Sequence, residues 1–329
     1  MTYPRPAIDA ELSTLLAGMP LMTTLDAETL AQVRQIPSPP VEPLLRGRPV
    51  EQREITAPAL DGTPIALTAF IPEGAHQAPC VYWIHPGGMM MGDRYTNIDI
   101  PLDWLHECGA VVVTVDYRLA PEAGGTVPVT DAFQGLRWLA THGDELGIDP
   151  GRVVVAGASA GGGLAAGVTL LARDQGGPSI AAQVLICPML DHRNDTISSL
   201  QHGGVPGVWT REMNEFGWRS LIGGAEEGEV PVYASPALAT DLSGLPPTYL
   251  DAGTAEVFRD EDVAYASRIW AAGGHADLHV WAGGVHGFDA LFPHARLSEA
   301  ARRTRTGWLA ALLADRAPTA PTAPAGAAS

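Results

Sequence analysis

A serine flanked by small residues is the first feature of this sequence that could carry out chemistry. Ser159 stands in the run Gly157-Ala158-Ser159-Ala160-Gly161, after the apolar segment Val153 to Ala156 and before a stretch with helical spacing. A Gly-x-Ser-x-Gly between a strand and a helix is typical of a nucleophile elbow, a sharp turn that exposes the serine Oγ. Larger side chains at the two glycines would collide with each other or with a neighbouring strand. Gly162 and Gly163 extend the close-packed turn.

Two other structures could account for this glycine-rich turn. It could be an ordinary strand-to-helix turn, because the motif alone is a weak signal. It could also be a phosphate-binding loop, but no Gly-Lys-Ser or Gly-Lys-Thr follows, and the glycine spacing of a dinucleotide site is absent. The strand and helix context favours the elbow, and it predicts Ser159 as the nucleophile.

The segment His85-Pro86-Gly87-Gly88-Met89 follows another apolar run, Cys80 to Ile84. Attack of a serine on an acyl group creates an oxyanion, which is stabilised by backbone N–H groups that already point at it. Glycines allow the backbone to approach the substrate closely. We therefore predict an oxyanion hole formed by Gly87, Gly88 and Ala160, the residue that follows the nucleophile.

A general base is predicted at His286, which lies in the Gly-flanked segment from Gly283 to Phe288. This segment follows the strand-like run Leu278 to Trp281, near the C-terminal end of the chain. An imidazole that titrates near neutral pH can take the serine proton and return it to the leaving group. Of the ten histidines, His286 has the position and loop context expected for the order serine, acid, histidine.

The partner of this histidine should be a carboxylate close to the end of the strand that contains Thr248 to Leu250. Five residues are candidates: Asp251, Glu256, Asp260, Glu261 and Asp262. Glu256 lies just past the strand, where a loop carboxylate could orient the imidazole. Asp251 is still on the strand, and the other three enter a helix whose dipole would stabilise charges in its first turn. Sequence alone favours Glu256 narrowly.

The elements that must position these residues alternate between apolar runs and helical patterns. Short runs without alternation indicate strands buried on both faces; they occupy residues 80–84, 111–115, 153–156, 184–186 and 248–250. Helical patterns cover residues 98–108, 128–142, 160–174, 258–272 and about 296–314. Two further strands are predicted at Val50 to Thr56 and Ile65 to Ile71, around a turn. This alternation predicts an α/β fold with a mostly parallel sheet.

The sequence suggests a catalytic domain interrupted by a cap. We assign residues 48–190 and 236–316 to the catalytic domain, residues 1–47 and 191–235 to two parts of a helical cap, and residues 317–329 to a disordered tail. Residues 8–35 read as helical, and the 191–235 insertion is too long for a simple connection. Large apolar side chains are candidates for the walls of a substrate pocket: Met89, Trp209, Met213, Phe216 and Trp218.

The composition excludes several classes of partner. The formal net charge is −17, from 20 Lys and Arg against 37 Asp and Glu, which disfavours nucleic acid and anionic membranes. The three cysteines form no Cys-x-x-Cys pair, so neither a disulfide framework nor a thiolate metal site is expected. No apolar stretch has transmembrane length. The N-terminus lacks a secretory pattern, which predicts a cytoplasmic location.

Taken together, these segments resemble the hormone-sensitive-lipase-like family of bacterial esterases and lipases. Six ordered motifs carry the resemblance: His85 to Gly88, Asp116 to Glu122, Asp149 to Arg152, Gly157 to Gly161, Glu256 to Glu261 and His286 to Phe288. The family implies an α/β-hydrolase fold with an eight-stranded sheet and a helical cap. It also implies that Glu256 is the acid, that the oxyanion donors are those named above, and that His85 holds the oxyanion loop.

Three residues depart from the family pattern. Pro86 replaces the first glycine of the usual His-Gly-Gly-Gly, Ala158 replaces an aspartate often found before the serine, and Glu256 stands where many members have aspartate. Proline has no N–H, but the family's donors are the second and third glycines, and both are retained here.

The resemblance predicts a serine carboxylic ester hydrolase that acts on small esters with short to medium acyl chains and needs neither metal nor cofactor. Two alternatives remain. The same triad could serve an amidase or a lactonase, and the fold could serve a non-catalytic sensor of a small ligand. The family also suggests a homodimer.

Overall fold

An eight-stranded sheet lies at the centre of the computed structural model, which describes residues 3–223 and 229–315. Its strands are β1 Val50–Pro58, β2 Pro64–Pro72, β3 Ala78–Ile84, β4 Val111–Asp116, β5 Ile148–Ala158, β6 Ala182–Ile186, β7 Thr248–Ala255 and β8 Ala276–Val285. The order across the sheet is β1-β2-β4-β3-β5-β6-β7-β8. The pairs β1–β2 and β2–β4 are antiparallel, and every other pair is parallel. The predicted sheet is therefore confirmed.

Helices cover both faces of this sheet. They are α1 Ala10–Leu16, α2 Ala27–Val33, α3 Asp99–Cys108, α4 Val127–His142, α5 Ala160–Gln175, α6 Ile197–Gln201, α7 Arg211–Ile222, α8 Arg259–Ala271, α9 Phe288–Leu291 and α10 Arg296–Asp315. Helices α4, α5 and α8 contribute to one core cluster, and α3 and α10 contribute to the other. Along β3, Tyr82 packs into the first cluster and Trp83 into the second. This two-sided burial explains why the strand has no polar alternation.

Two segments outside the sheet meet each other. Met22 and Gly207 form an isolated antiparallel bridge, and Thr210 Oγ1 donates to the carbonyl oxygen of Thr23 at 2.6 Å. The helical character predicted for residues 8–35 is present as two short, separate helices, α1 and α2. Pro20 lies between them, and proline cannot continue a helix because it lacks an N–H and clashes with the preceding turn.

Parts of the predicted organisation fall outside the described residues. These are residues 1–2 and 224–228 of the two cap segments, residue 316 of the catalytic domain and the tail at 317–329. Among the residues that the structure describes, no helix is both long and apolar enough to cross a membrane. The assignment of residues 1–47 and 191–235 to a cap remains a prediction.

A buried ion-pair network ties the last helix to the carboxyl end of the sheet. Arg305 on α10 donates to Asp251 Oδ2 at 2.9 Å and to Asp289 Oδ2 at 3.0 Å. All three side chains are almost fully buried. Burial raises the pKa of Asp251, and the nearby guanidinium opposes that rise. Asp251 lies on β7 and forms its ion pair with Arg305. Through Asp289, the network also fixes the segment that follows His286.

Replacing Arg305 with methionine should strongly destabilise the fold. The substitution leaves two carboxylates buried without their cation, which typically costs about 3–5 kcal/mol. Urea denaturation followed by circular dichroism would measure the change in the free energy of unfolding. The matched control is Arg219→Met, which removes an exposed ion pair with Glu215 on α7 and should cost about 0.3–0.5 kcal/mol. Equal losses in the two variants would contradict the importance of the buried network.

Candidate active site

Ser159 occupies the turn between β5 and α5 in a backbone conformation that residues other than glycine rarely adopt. Its φ is 54° and its ψ is −121°. Such a conformation costs free energy and persists only when the surroundings hold it. Here the N–H of Ser159 donates to the carbonyl of Ile186 at 2.8 Å, and its carbonyl accepts from the N–H of Met189 at 2.9 Å. The last residue of β6 and the segment that follows it therefore hold the elbow on both sides.

The glycines around the serine allow backbone segments to touch. A Cβ at Gly157 would lie 2.2 Å from the carbonyl oxygen of Gly161, and a Cβ at Gly161 would lie 2.0 Å from that of Ile84. A Cβ at Gly163 would lie 2.0 Å from the carbonyl oxygen of Met189. The sequence predicts that larger side chains at these glycines would collide with the other glycine or with a neighbouring strand. In this structure an added Cβ would make both kinds of collision.

Ser159, His286 and Glu256 form a continuous hydrogen-bonded chain. Because an ionised carboxylate can only accept, His286 Nδ1 carries the proton and donates to Glu256 Oε2 at 2.7 Å. In this tautomer His286 Nε2 is free to accept from Ser159 Oγ, which lies 2.9 Å away. The N–H of Gly253 donates to the other oxygen of Glu256 at 2.6 Å, so the carboxylate is fixed in orientation. All three side chains are buried.

The other candidate carboxylates have different partners. Asp260 Oδ2 accepts from the N–H of Ser198 at 2.7 Å, and Glu261 Oε1 accepts from that of Leu190 at 2.7 Å. Asp262 is fully buried, and within the described residues its carboxylate has no hydrogen-bond partner. All three acids lie in the first turn of α8, as expected, but burial raises the pKa of Glu261 and Asp262. Of the five candidates, Glu256 is the one that reaches His286.

The predicted oxyanion segment lies beside the elbow because β3 and β5 are neighbours, with Ile84 opposite Gly157. Gly87 has φ +125° and Gly88 has φ +62°, and a Cβ at Gly88 would lie 2.6 Å from the ring of Trp209. Within residues 3–223 and 229–315, the N–H groups of Gly87, Gly88 and Ala160 donate to no carbonyl or side chain. These donors therefore remain available to a substrate oxygen.

His85 and Pro86 form the base of this loop. The His85 ring stacks on Tyr117 with centroids 4.2 Å apart, and its Nδ1 donates to the carbonyl oxygen of Pro86 at 2.8 Å. Tyr117 in turn donates its hydroxyl proton to the carbonyl oxygen of His85 at 3.0 Å. Burial lowers the pKa of His85, which favours a neutral ring. These contacts agree with a holding function for His85, and the carbonyl oxygen of Pro86 takes part in them.

Cys187 brings a third potential metal ligand close to the histidine and the glutamate. Its Sγ, a carboxylate oxygen of Glu256 and a ring nitrogen of His286 lie within 4.8 Å of one another. Two nitrogen or oxygen ligands on a tetrahedral zinc ion are about 3.3 Å apart, whereas His286 Nδ1 and Glu256 Oε2 are separated by 2.7 Å. Burial raises the pKa of the Cys187 thiol, which disfavours a thiolate. The geometry is that of a hydrogen bond beside a neutral thiol.

A cavity of about 420 Å³ opens at the serine and the histidine. Its walls are mostly apolar, and the two segments that meet at Met22 and Gly207 contribute part of them. They include Met19, Leu21, Met22, Leu25, Trp209 and Met213. Sequence analysis missed the contributions from residues 19–25, although apolar side chains around a helix-breaking proline are a usable signal for a lining loop.

The structure brings two of the five predicted pocket residues to this cavity. Trp209 and Met213 line it, whereas Met89, Phe216 and Trp218 do not. Phe216 packs against the main core cluster, and Trp218, five residues after Met213 on α7, points about 140° away from Met213 around the helix. Trp218 is buried in the main core cluster. Met89 is fully buried in the same cluster, and Met91 lines the cavity.

Substituting Gly161 with alanine should impair both folding and turnover. The added Cβ would overlap the Ile84 carbonyl oxygen, and relieving the overlap must displace β3 or the elbow. We expect a loss of about 1–3 kcal/mol in unfolding free energy and about 100-fold or more in kcat/KM. Gly307→Ala on α10 is the control, because nothing lies within 4 Å of its Cβ and helix propensity favours alanine. Wild-type kcat/KM in Gly161→Ala would contradict the steric argument.

Comparisons with known proteins agree with this geometry. The family described as alpha/beta hydrolase fold matches residues 81–290. Esterase LipI of Mycobacterium tuberculosis is 35% identical over 288 residues, which cover 86% of this chain and 88% of that protein. Carboxylesterase NlhH of the same species is 33% identical, with 87% and 90% covered. A solved bacterial heroin esterase superposes with a TM-score of 0.85 at 35% identity, covering 93% of this chain and 98% of its own.

The family match covers most of the chain, and the relatives match over nearly their whole length. The fold and the resemblance to the hormone-sensitive-lipase-like group are thus confirmed. The chain belongs to the α/β-hydrolase fold family, within that esterase group, and is an enzyme of the serine hydrolase type.

Proposed function

We propose that this protein is a carboxylic ester hydrolase that forms an acyl-enzyme on Ser159. The observation that carries the proposal is the chain of hydrogen bonds from Ser159 through His286 to Glu256, at 2.9 and 2.7 Å, at the floor of an apolar cavity. The relatives named esterase and carboxylesterase support ester hydrolysis as the reaction.

In the first half-reaction, Ser159 Oγ attacks the ester carbonyl carbon while its proton moves to His286 Nε2. The ionised Glu256 stabilises the imidazolium that forms. The carbonyl oxygen becomes negatively charged and accepts hydrogen bonds from the N–H groups of Gly87, Gly88 and Ala160. The positive end of the α5 dipole lies at the same point and favours that charge. Collapse of the intermediate breaks the ester C–O bond, and His286 protonates the leaving alkoxide.

The second half-reaction uses the same groups in reverse. His286 Nε2 removes a proton from a water molecule, whose oxygen attacks the acyl carbon. The oxyanion forms again in the same hole. Its collapse releases the carboxylic acid and returns the proton to Ser159 Oγ. Neither half needs an external redox or electrophilic cofactor.

The cavity supports uncharged esters with short to medium acyl chains as substrates. Its volume of about 420 Å³ lies at the lower end of the range for small-molecule sites. The apolar walls would favour hydrocarbon groups, and the net charge of −17 would repel anionic ones. The cytoplasmic location and the homodimer remain predictions.

Replacing Ser159 with alanine should abolish ester hydrolysis. Loss of the nucleophile lowers kcat by about 10⁶-fold in a triad that acts as a unit. The measurement is release of p-nitrophenol from esters of increasing acyl length, for both proteins side by side. We expect wild-type kcat/KM to be highest for short to medium chains.

Equal turnover by both proteins would overturn the nucleophile assignment. If wild-type protein hydrolysed no ester but bound a small ligand tightly, a sensor function would replace the proposed one. Anilides and lactones in the same series would detect an amidase or a lactonase.

The acid can be identified by comparing Glu256→Gln with Asp260→Asn. Glutamine keeps the shape but not the charge, and it would also stabilise the wrong imidazole tautomer, so we expect about a 10⁴-fold drop in kcat. Asp260 bonds to the N–H of Ser198 and to Arg259, so its asparagine variant should retain kcat within a few-fold. A larger loss in Asp260→Asn than in Glu256→Gln would show that the wrong carboxylate was chosen.

A further inference from the structure

A single arginine links α2 to the loop that carries the proposed oxyanion donors. Arg34 follows α2 directly, and its Nε donates to the carbonyl oxygen of Met90 at 2.7 Å. Its Nη2 donates to the carbonyl oxygen of Ala120 at 2.6 Å. The same guanidinium forms a bidentate ion pair with Glu122, at 2.7 and 2.9 Å. One planar cation thus binds four acceptor oxygens of three residues on two separate segments.

The segment that Arg34 contacts adopts an unfavourable backbone conformation. Gly87, Gly88 and Met89 all have positive φ values, of 125°, 62° and 61°. For the non-glycine Met89 such a conformation persists only when neighbouring groups enforce it. The N–H groups of Met90 and Met91 both donate to the carbonyl oxygen of Gly87 at 3.0 Å, which closes the loop on itself.

The closed loop is attached from outside at two consecutive residues. The N–H of Ala120 donates to the carbonyl oxygen of Met89 at 2.8 Å, and Arg34 binds the carbonyl oxygen of Met90. Because Arg34 also binds the carbonyl oxygen of Ala120, it joins the two attachment points. A displacement of Met90 would therefore be transmitted to the N–H groups of Gly87 and Gly88.

We propose that Arg34 is a positioning residue that holds the Gly87–Met91 loop so that its N–H groups point at the oxyanion. The inference rests on the proposed function, because it assigns Arg34 to stabilisation of the transition state of that reaction. Arg34 itself touches neither Ser159 nor the cavity floor. It acts through Met90 and Ala120.

The ion pair with Glu122 keeps the guanidinium in place. Hydrogen bonds from Arg34 lower the pKa of Glu122 to about 2, so the pair stays charged at any working pH. Glu122 is nevertheless well exposed, so the ion pair should contribute little by itself. The two hydrogen bonds to carbonyl oxygens are therefore the ones that fix the loop. A lysine ammonium could not reproduce the planar arrangement of N–H donors that makes both of them.

The same arginine couples the cavity wall to the oxyanion loop. Val33, the residue before Arg34, lines the cavity, and so does Leu25 ahead of α2. A substrate that packs against these side chains therefore contacts α2 and its flanking residues, from which Arg34 positions the Gly87–Met91 loop. The N-terminal segment therefore contributes to transition-state stabilisation as well as to binding.

The test compares Arg34→Met with a matched variant, Arg48→Met. Arg48 also donates to a backbone carbonyl oxygen, that of His106, at 2.9 Å, but away from the site. We expect kcat of Arg34→Met on a p-nitrophenyl ester to fall about 10- to 100-fold with KM nearly unchanged, somewhat less than the loss of a whole oxyanion donor. Arg48→Met should keep wild-type kcat. The kcat of Arg34→Lys should lie between that of the wild type and that of Arg34→Met.

The affinity for an alkylboronic acid inhibitor distinguishes a positioning role of Arg34 from a purely structural one, because a purely structural role would leave that affinity unchanged. Ser159 Oγ adds to the boron atom while its proton moves to His286, which gives a negatively charged tetrahedral boronate with a hydroxyl oxygen where the oxyanion forms. The product carboxylic acid binds without such an adduct. In Arg34→Met the affinity for the boronic acid should fall in proportion to kcat, while inhibition by the product acid should stay constant. Glu122→Gln, which keeps both carbonyl bonds, should stay within about threefold of wild type, as expected for an exposed pair.

The outcomes separate the inference from the proposed function. If Ser159→Ala retains wild-type turnover, the proposed function fails whatever Arg34 does. If Ser159→Ala is inactive but Arg34→Met matches Arg48→Met in kcat and boronic acid affinity, the inference alone is wrong. Should Arg34→Met fail to fold, Arg34→Lys carries the test, and wild-type values of both quantities in that variant would overturn the inference.

Discussion

The close approach of β3, β5 and the first turn of α5 is the constraint on which the rest of the site depends. At this point the carbonyl oxygen of Ile84 lies where side chains at positions 157 and 161 would otherwise be. Only glycine lets the backbones meet there, and Ser159 lies between those two glycines in its strained, positive-φ conformation. The same contact sets the oxyanion loop beside the serine, because that loop begins at the residue after Ile84. The same backbone contact between β3, β5 and α5 therefore positions both the nucleophile and the oxyanion donors.

The remaining groups reach the serine because parallel strands end at the same edge of the sheet. Glu256 follows β7 and His286 follows β8; β7 pairs with β6, the strand beside β5, and β8 pairs with β7. Hydrogen bonds then fix the orientation of the side chains that the sheet topology brings together. The N–H of Gly253 orients Glu256, and buried Arg305 fixes Asp289, three residues after His286. Arg34 has the matching role on the opposite side, where it reaches the oxyanion loop from the N-terminal segment.

The predictable parts of this structure are those governed by local steric and burial rules. Apolar runs such as residues 80–84 could be read as buried strands, and the order of Ser159, Glu256 and His286 could be read along the chain. Features that depend on distant partners could not. Arg34 looks like an ordinary residue at the end of a helix, and its acceptors lie 56 and 86 residues away. The burial of Asp262 contradicts the usual exposure of carboxylates, and which side of α7 faces the cavity is decided by tertiary packing.

The central claim is that the strained elbow makes Ser159 the one nucleophile of an ester-cleaving site. Incubation with diethyl p-nitrophenyl phosphate, followed by peptide mass spectrometry, tests it most directly, since attack of the serine oxygen on phosphorus expels p-nitrophenolate and leaves a stable diethylphosphoryl group. The account predicts one adduct per chain, on the peptide that contains Ser159, with ester turnover lost in proportion to its occupancy. An adduct on another residue, or full turnover with Ser159 completely modified, would contradict it.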